Sequence, residues 1–156
     1  MNTHKVKIIA DSTCDLSPEL IKKYDVEIVP LYVTLGDESL RDGVDITPDE
    51  LYRWADKNKT TPKTAAITQA DAYKVMKKYV EQGCEIVYTG ISSEMSVAHG
   101  NAQLAAEEFP DARIAVVDSK NLSTGVGHTV IKPAELAQEG LGAFEIKEKL
   151  DKFTPL

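Results

Sequence analysis

The chain has 156 residues, of which 42% are hydrophobic, and it carries a formal net charge of -7 at pH 7. This length and apolar content suit one globular domain with a single core. The acidic balance, without clusters of Lys and Arg, argues against a surface that follows nucleic-acid phosphates. No apolar run reaches the about 20 residues that cross a bilayer, and the start, MNTHKVKIIAD, lacks the apolar core of a signal peptide, so we expect a cytoplasmic protein without membrane insertion.

Short β-rich runs alternate with helix-like segments along the chain. The runs VKIIA (6–10), EIVPLY (27–32), EIVYT (85–89) and RIAVV (113–117) predict strands. Helices are predicted after Ser17-Pro18 and Thr47-Pro48, over 69–82 and 96–109, and in two pieces between 123 and 152. Residues 33–43, VTLGDESLRDG, predict a hairpin. Because parallel strands need crossovers that helices supply, we expect a single α/β domain with a mainly parallel sheet flanked by helices.

Serines follow three of the predicted strands. Ser12 follows the first strand, Ser92 and Ser93 follow the third, and Ser119 follows the fourth. In open α/β sheets, ligands bind in the crevice beyond the carboxyl ends of the strands, where helix starts offer free N–H groups. The alternative is that each serine only caps the helix that follows it. The residues alone leave both interpretations open.

Catalytic patterns are incomplete. Residues 90–94, GISSE, lack the second glycine of a nucleophile elbow, and residues 125–130, GVGHTV, lack the third glycine of a dinucleotide-binding loop. An enzyme that uses Asp11, Asp15 or Asp118 as acid or base is a minor alternative, because such aspartates are commonly turn residues. The residues therefore indicate a binding protein rather than an enzyme.

Cysteine and histidine spacing predicts no metal site. Cys14 and Cys84 stand alone, and His4, His99 and His128 are scattered without a metal-binding or triad pattern. We expect no disulfide and no metal, nucleotide or flavin cofactor. His99 follows the predicted helix start at Ser96 closely enough to contact a ligand there.

Five motifs occur in an order that resembles a known family. They are DSTCDL (11–16), VPLYVTLGDESLRDGVDITPDELY (29–52), PKTAAIT (62–68), ISSEMS (91–96) and VVDSKNLSTGVG (116–127). From about residue 6 to 152 the chain resembles the amino-terminal half of DegV family proteins. The resemblance implies an α/β first domain, related to dihydroxyacetone kinase and mannose-phosphotransferase domains. It also implies binding of a long-chain fatty acid, which in many bacteria is presented to a separate fatty acid kinase.

The resemblance also implies the site residues. The family's two carboxylate-binding hydroxyls fall on Thr64 and Ser96, with Ser12, Ser92, Ser93 and Ser119 in or near the same crevice. Hydroxyl donors and helix-start N–H groups suit a carboxylate. The chain departs from the family beside both positions: AAIT (65–68) replaces SQPS, and SVAHGN (96–101) replaces SGTYQS.

Family members are nearly twice as long as this chain, so the resemblance implies that their second domain is absent here. An excised domain and a naturally short relative both stay open. A first domain alone exposes the apolar side chains of its cleft, which predicts self-association or a partner. The altered AAIT and SVAHGN segments support an alternative function, a protein-interaction module with a degenerate lipid site.

Overall fold

A computed structural model describes residues 5–154 of the chain. Strands and helices alternate through most of it, with a short 3-10 helix (Ser12–Cys14) after the first strand. The strands are β1 (Val6–Asp11), β2 (Glu27–Val29), β3 (Tyr32–Leu35), β4 (Glu38–Arg41), β5 (Lys63–Ala65), β6 (Glu85–Gly90) and β7 (Ile114–Asp118). The helices are α1 (Pro18–Lys23), α2 (Pro48–Asn58), α3 (Gln69–Val80), α4 (Ala98–Glu107), α5 (Thr124–Gln138) and α6 (Ala143–Phe153).

The main sheet has four parallel strands in the order β2-β1-β6-β7. This arrangement confirms the α/β class with a mainly parallel sheet. The register places Ala10 opposite Thr89 and Gly90 opposite Asp118. The three strands that precede serines are therefore neighbours, and their carboxyl ends lie along one edge of the sheet. We call this edge the carboxyl edge.

Helices cover both faces of the main sheet. Ile8 and Val87 face α5 and α6, whereas Ile9, Ile86 and Tyr88 face α3 and α4. Every residue of β6 is buried, because β6 lies between two strands and two layers of helices. Each fully buried large apolar side chain stabilises the fold by about 1.5–3 kcal/mol relative to an exposed one. The two apolar layers are thus the main source of stability.

A smaller antiparallel sheet, in the order β4-β3-β5, stands apart from the main sheet. We call residues 32–65, which contain this sheet and α2, the small lobe. Its own apolar cluster is limited to Val33, Leu35 and Ile46 with partly buried neighbours that include Trp54. The predicted hairpin is confirmed, since β3 and β4 pair around a turn at Gly36, whose φ of +62° suits glycine.

The prediction of one continuous strand over 27–32 was wrong. The chain divides there into β2, in the main sheet, and β3, in the small lobe, with Pro30 and Leu31 between them. Proline has no N–H to donate to a sheet ladder, and the Leu31 N–H donates instead to Ser12 Oγ at 3.1 Å. Strand β5 was not predicted, because its three residues are all exposed and carry no apolar alternation. Predicted helix ends differ from those observed by a few residues.

Polar contacts compensate for the thin apolar cluster of the small lobe. Arg41 and Asp45 form a two-pronged ion pair with both N···O distances at 2.8 Å. The Arg41 guanidinium lowers the pKa of Asp45 to about 2. The Tyr32 hydroxyl donates to Asp71 Oδ1 at 3.0 Å and so ties the lobe to α3. The Tyr32 contact links β3, and through its pairing β5, to a helix that packs on the main sheet.

Candidate functional site

A buried carboxylate organises the carboxyl edge. Asp11, the last residue of β1, has no solvent exposure. Its Oδ2 accepts a hydrogen bond from Ile91 N at 2.9 Å, and its Oδ1 accepts one from Thr13 N at 3.1 Å. Burial raises the pKa of Asp11, against the lowering effect of these donors. Asp11 thus holds the turn that follows β6, which carries the serines of interest.

Glycine at position 90 makes this contact possible. A Cβ atom there would lie 2.1 Å from Asp11 Oδ2 and 3.1 Å from the Tyr88 hydroxyl. Burial raises the pKa of Tyr88 well above its ordinary value, and the neighbouring Asp11 charge raises it further. The backbone of β6 can approach the carboxylate this closely only without a side chain.

Asp118, at the end of β7, holds the same turn from the other side. Its carboxylate accepts hydrogen bonds from the Ser93 hydroxyl, from Ser93 N at 3.1 Å and from Lys120 N at 3.0 Å. Burial alone would raise the pKa of Asp118, but the donors from Ser93 and Lys120, with a contribution from His99, lower it. Asp118 is therefore ionised at neutral pH, and it links β7 to the turn before α4.

Ser96 lies in this turn, one residue before the N-cap position of α4. Its hydroxyl accepts a hydrogen bond from Ala98 N at 3.2 Å. The N-cap residue, Val97, has no side-chain oxygen, so among the described residues Ser96 supplies the side-chain acceptor at the start of α4, for Ala98 N. The N–H groups that follow Ala98 in the first helical turn are available to an anion. Ser93, Ser96 and His99 line one open cavity of about 520 Å³ beside this helix start.

Thr64 lies in the small lobe, in β5 opposite Val33, and is exposed. The segment that follows β5 is tied to α4, because the Asn101 side-chain amide donates to the Ile67 carbonyl oxygen at 2.8 Å. Thr64 and Ser96 thus stand on two segments that this hydrogen bond joins. The role of Asn101 could not be predicted from the sequence, since an asparagine within a helix has no distinctive pattern. The same is true of Asp11 as the organiser of the turn.

The hydroxyls of the other predicted site residues bond to the main chain. Ser12 Oγ accepts from Leu31 N at 3.1 Å, Ser92 Oγ accepts from Glu94 N at 3.2 Å, and Ser119 Oγ accepts from Asn121 N at 3.1 Å. None of the three is the N-cap of an α-helix, so the helix-cap interpretation was wrong for them. They shape the carboxyl edge, and their contact with a ligand stays a prediction.

Apolar side chains surround the site. Met95, Val97 and Leu104 are 58%, 69% and 49% exposed, and Val97 and Leu104 line the cavity. Leu122, on the loop after β7, is 47% exposed. That loop is joined to the turn before α4 by the hydrogen bond from Ser92 N to the Asn121 carbonyl oxygen at 3.0 Å. The site therefore combines polar donors with an apolar surface in water.

Residues 5–154 contain no group of three or more His, Cys, Asp and Glu residues able to hold a metal ion. None of the helices in that range is both long enough and apolar enough to span a bilayer. His128 is exposed on α5, and His4 lies outside the described residues.

Residues 5–155 match the family model described as uncharacterised protein, DegV family. The chain belongs to the DegV family. It is 37% identical over 146 residues to a DegV domain-containing protein of Clostridium perfringens, an alignment that covers 94% of this chain and 52% of the relative. The sequence resemblance to DegV proteins is thereby confirmed.

Solved DegV structures share the fold. A stearic-acid-binding protein from Eubacterium ventriosum is 38% identical, with a TM-score of 0.85, and the match covers 94% of this chain and 52% of that one. A fatty-acid-binding DegV protein from Thermus thermophilus is 32% identical, with a TM-score of 0.88, over 97% of this chain and 54% of that one. The chain spans about half the length of the relatives it matches.

Proposed function

We propose that this chain is the part of a DegV protein that holds the carboxylate of a long-chain fatty acid. The observation that carries the proposal is Ser96 at the start of α4, where it lines the open cavity. In support, the Asn101 hydrogen bond joins α4 to the segment that follows Thr64. Hydroxyls and helix-start N–H groups form charge-assisted hydrogen bonds to carboxylates. The exposed Met95, Val97 and Leu104 supply an apolar surface for the start of an acyl chain.

The family comparison supports the same ligand class. Two relatives of more than 30% identity are fatty-acid-binding proteins, and both match nearly all of this chain. The role proposed here is binding rather than catalysis, and its setting is the cytoplasm.

The test is binding of a long-chain acid by the purified chain. Native mass spectrometry of the chain before and after incubation with palmitate should reveal a one-to-one complex. Replacing Thr64 and Ser96 together by Ala should lower the affinity about 10-fold or more, because hydrogen bonds to a charged group contribute about 1.5–3 kcal/mol each. The matched control is a double Ala variant of Ser39 and Thr61, exposed hydroxyl residues that do not line the cavity.

Two results would count against the proposal. Equal affinities of the double variant and the parent chain would remove Thr64 and Ser96 from the site. If the parent chain fails to bind palmitate, fatty acid binding is not a property of these residues by themselves.

The proposal extends to a fatty acid kinase, as the family resemblance implies. The kinase would transfer the terminal phosphoryl group of ATP to the bound carboxylate and release ADP and an acyl phosphate. Incubation of the palmitate-loaded chain with a purified bacterial fatty acid kinase, ATP and hydroxylamine should yield an acyl hydroxamate. If the hydroxamate forms at the same rate without the chain, presentation is not its role.

A protein-interaction module is the second candidate function. The exposed Met95, Val97 and Leu122 favour it, because they stand on two loops that a hydrogen bond joins, and exposed apolar side chains that form one patch mark docking surfaces. Sedimentation of the chain over a range of concentrations tests self-association. A dimer that dissociates when Val97 is replaced by Asp, together with no palmitate binding, would favour this function over lipid binding.

A further inference from the structure

His99 shares the candidate carboxylate cavity with Ser93 and Ser96. It lies in the first turn of α4, and its side chain is only partly exposed. The family motif has a tyrosine where this chain has His99, so the imidazole is a feature of this chain rather than of the motif. A histidine beside two hydroxyls offers a group that can change charge near neutral pH.

Within the described part of the chain, the residues that line the cavity provide no permanent positive charge. They include neither Lys nor Arg, and the one acidic side chain among these described residues is Glu107. Asp118, which accepts the Ser93 hydrogen bonds, adds a second negative charge nearby. A carboxylate that enters the cavity therefore meets two acidic groups, and among residues 5–154 His99 is the only lining residue able to become cationic.

The charges that face His99 come from three elements. Burial lowers the pKa of His99; Asp118 of β7 raises it, and Lys147 of α6 lowers it again. Glu107 lies further along α4 and lines the same cavity, whereas α3 and β6 contribute no lining residue. Lys147 is itself paired with Asp151 at 3.1 Å. With its pKa below the ordinary value, His99 is mostly neutral in the free chain at neutral pH.

We propose that His99 takes up a proton when a carboxylate binds in this cavity and so selects the anionic head group of an acyl ligand. The inference rests on the proposed function. Hydrogen bonding and charge attraction favour imidazolium over imidazole next to a carboxylate, so binding raises the proton affinity of His99. The proton comes from the solvent. By linkage, a lower pH then strengthens binding until His99 is protonated in the free chain.

Isothermal titration calorimetry with laurate, a soluble acyl carboxylate, tests the proposal. Titrations at neutral pH in two buffers of different ionisation enthalpy measure the protons taken up per ligand bound. We expect a substantial fraction of one proton for the parent chain. Between about pH 8 and about pH 6.5 the affinity should rise several-fold.

Three variants distinguish an effect of the charge on His99 from a purely structural effect of its side chain. His99→Gln should bind laurate weakly, with no proton uptake and a flat pH profile. His99→Lys, with a permanent charge, should restore affinity without restoring proton uptake, which a purely structural residue would not do. His128→Gln, which changes an exposed histidine outside the cavity, should behave as the parent chain does.

The possible failures are distinguishable. Laurate binding without proton uptake by the parent chain, or full uptake by His99→Gln, would overturn the role of His99 and leave the proposed function standing. If the parent chain binds neither laurate nor palmitate, the proposed function fails, and this inference fails with it. Equal affinity for laurate and its methyl ester would also overturn the selection of an anionic head group.

Discussion

The main sheet and the small lobe are stabilised by different kinds of interaction. In the main sheet, Ile86 and Val87 are fully buried between layers of helices. In the small lobe, the buried side chains Val33, Leu35 and Ile46 keep some exposure, and α2 buries none of its residues completely. The lobe depends instead on individual polar contacts. One of the two proposed carboxylate contacts, Ser96, therefore stands on the stable part, whereas the other, Thr64, stands on the weaker part.

Two isoleucines, one in each region, should differ most in how much stability they contribute. Ile86→Ala should lower the free energy of unfolding by about 2–5 kcal/mol, because it leaves a cavity in a closed apolar layer. Ile46→Ala removes the same atoms from the small lobe, where the neighbours can relax or admit water, and should cost less than about 2 kcal/mol. Urea unfolding followed by circular dichroism measures both. Equal losses would mean that lobe and sheet form one equally packed unit.

A glycine-to-alanine change at position 90 tests how tightly the main sheet is packed at its carboxyl edge. Gly90→Ala places a methyl group 2.1 Å from Asp11 Oδ2, so the buried carboxylate must move and its hydrogen bond to Ile91 weakens. We expect a loss of about 1–3 kcal/mol in the free energy of unfolding.

The matched control for that variant is Gly100→Ala. Nothing lies within 4 Å of the added methyl group there, and alanine favours the helix. The control should leave thermal stability unchanged or raise it slightly. A Gly90→Ala variant as stable as its control would show that the carboxylate at Asp11 has room to shift.

A smaller loss of stability is expected from breaking the hydrogen bond between the small lobe and α3. Tyr32→Phe removes the 3.0 Å hydrogen bond to Asp71 and should cost about 0.5–1.5 kcal/mol. The loss should be local: amide hydrogen exchange should become faster in β3, β4 and β5 but not in β1 and β6. Tyr52→Phe, at a position that is 67% exposed, is the control. Faster exchange throughout the main sheet would contradict a separate lobe.

Much of the fold follows from the sequence, because β1, β6 and β7 are apolar runs whose burial on both faces leaves a clear pattern. The small sheet is harder to predict. Strand β5 is short and exposed, so pairing with β3 alone defines it. The division at Pro30 depends on the acceptor of the Leu31 N–H. That acceptor, Ser12, is distant in the sequence, so local patterns do not reveal it.

The candidate site, too, is only partly predictable from the sequence. The hydroxyl residues at strand ends are visible in the sequence, and their common edge follows from the parallel order of β1, β6 and β7. The partners of those hydroxyls are not visible. Whether a serine bonds to a nearby main-chain N–H, as Ser92 and Ser119 do, or to a distant one, as Ser12 does, depends on tertiary structure.

The hydrogen bond from Asn101 to the Ile67 carbonyl has a kinetic consequence. It joins α4, which packs on the main sheet, to the segment that follows β5 of the small lobe. A ligand bound by both Thr64 and Ser96 would span that hydrogen bond. If the bond broke and the small lobe moved away, the ligand would lose its contact with Thr64. The residence time of such a ligand would then follow the opening rate of the lobe, and mutations that loosen the lobe would shorten it without touching a ligand atom.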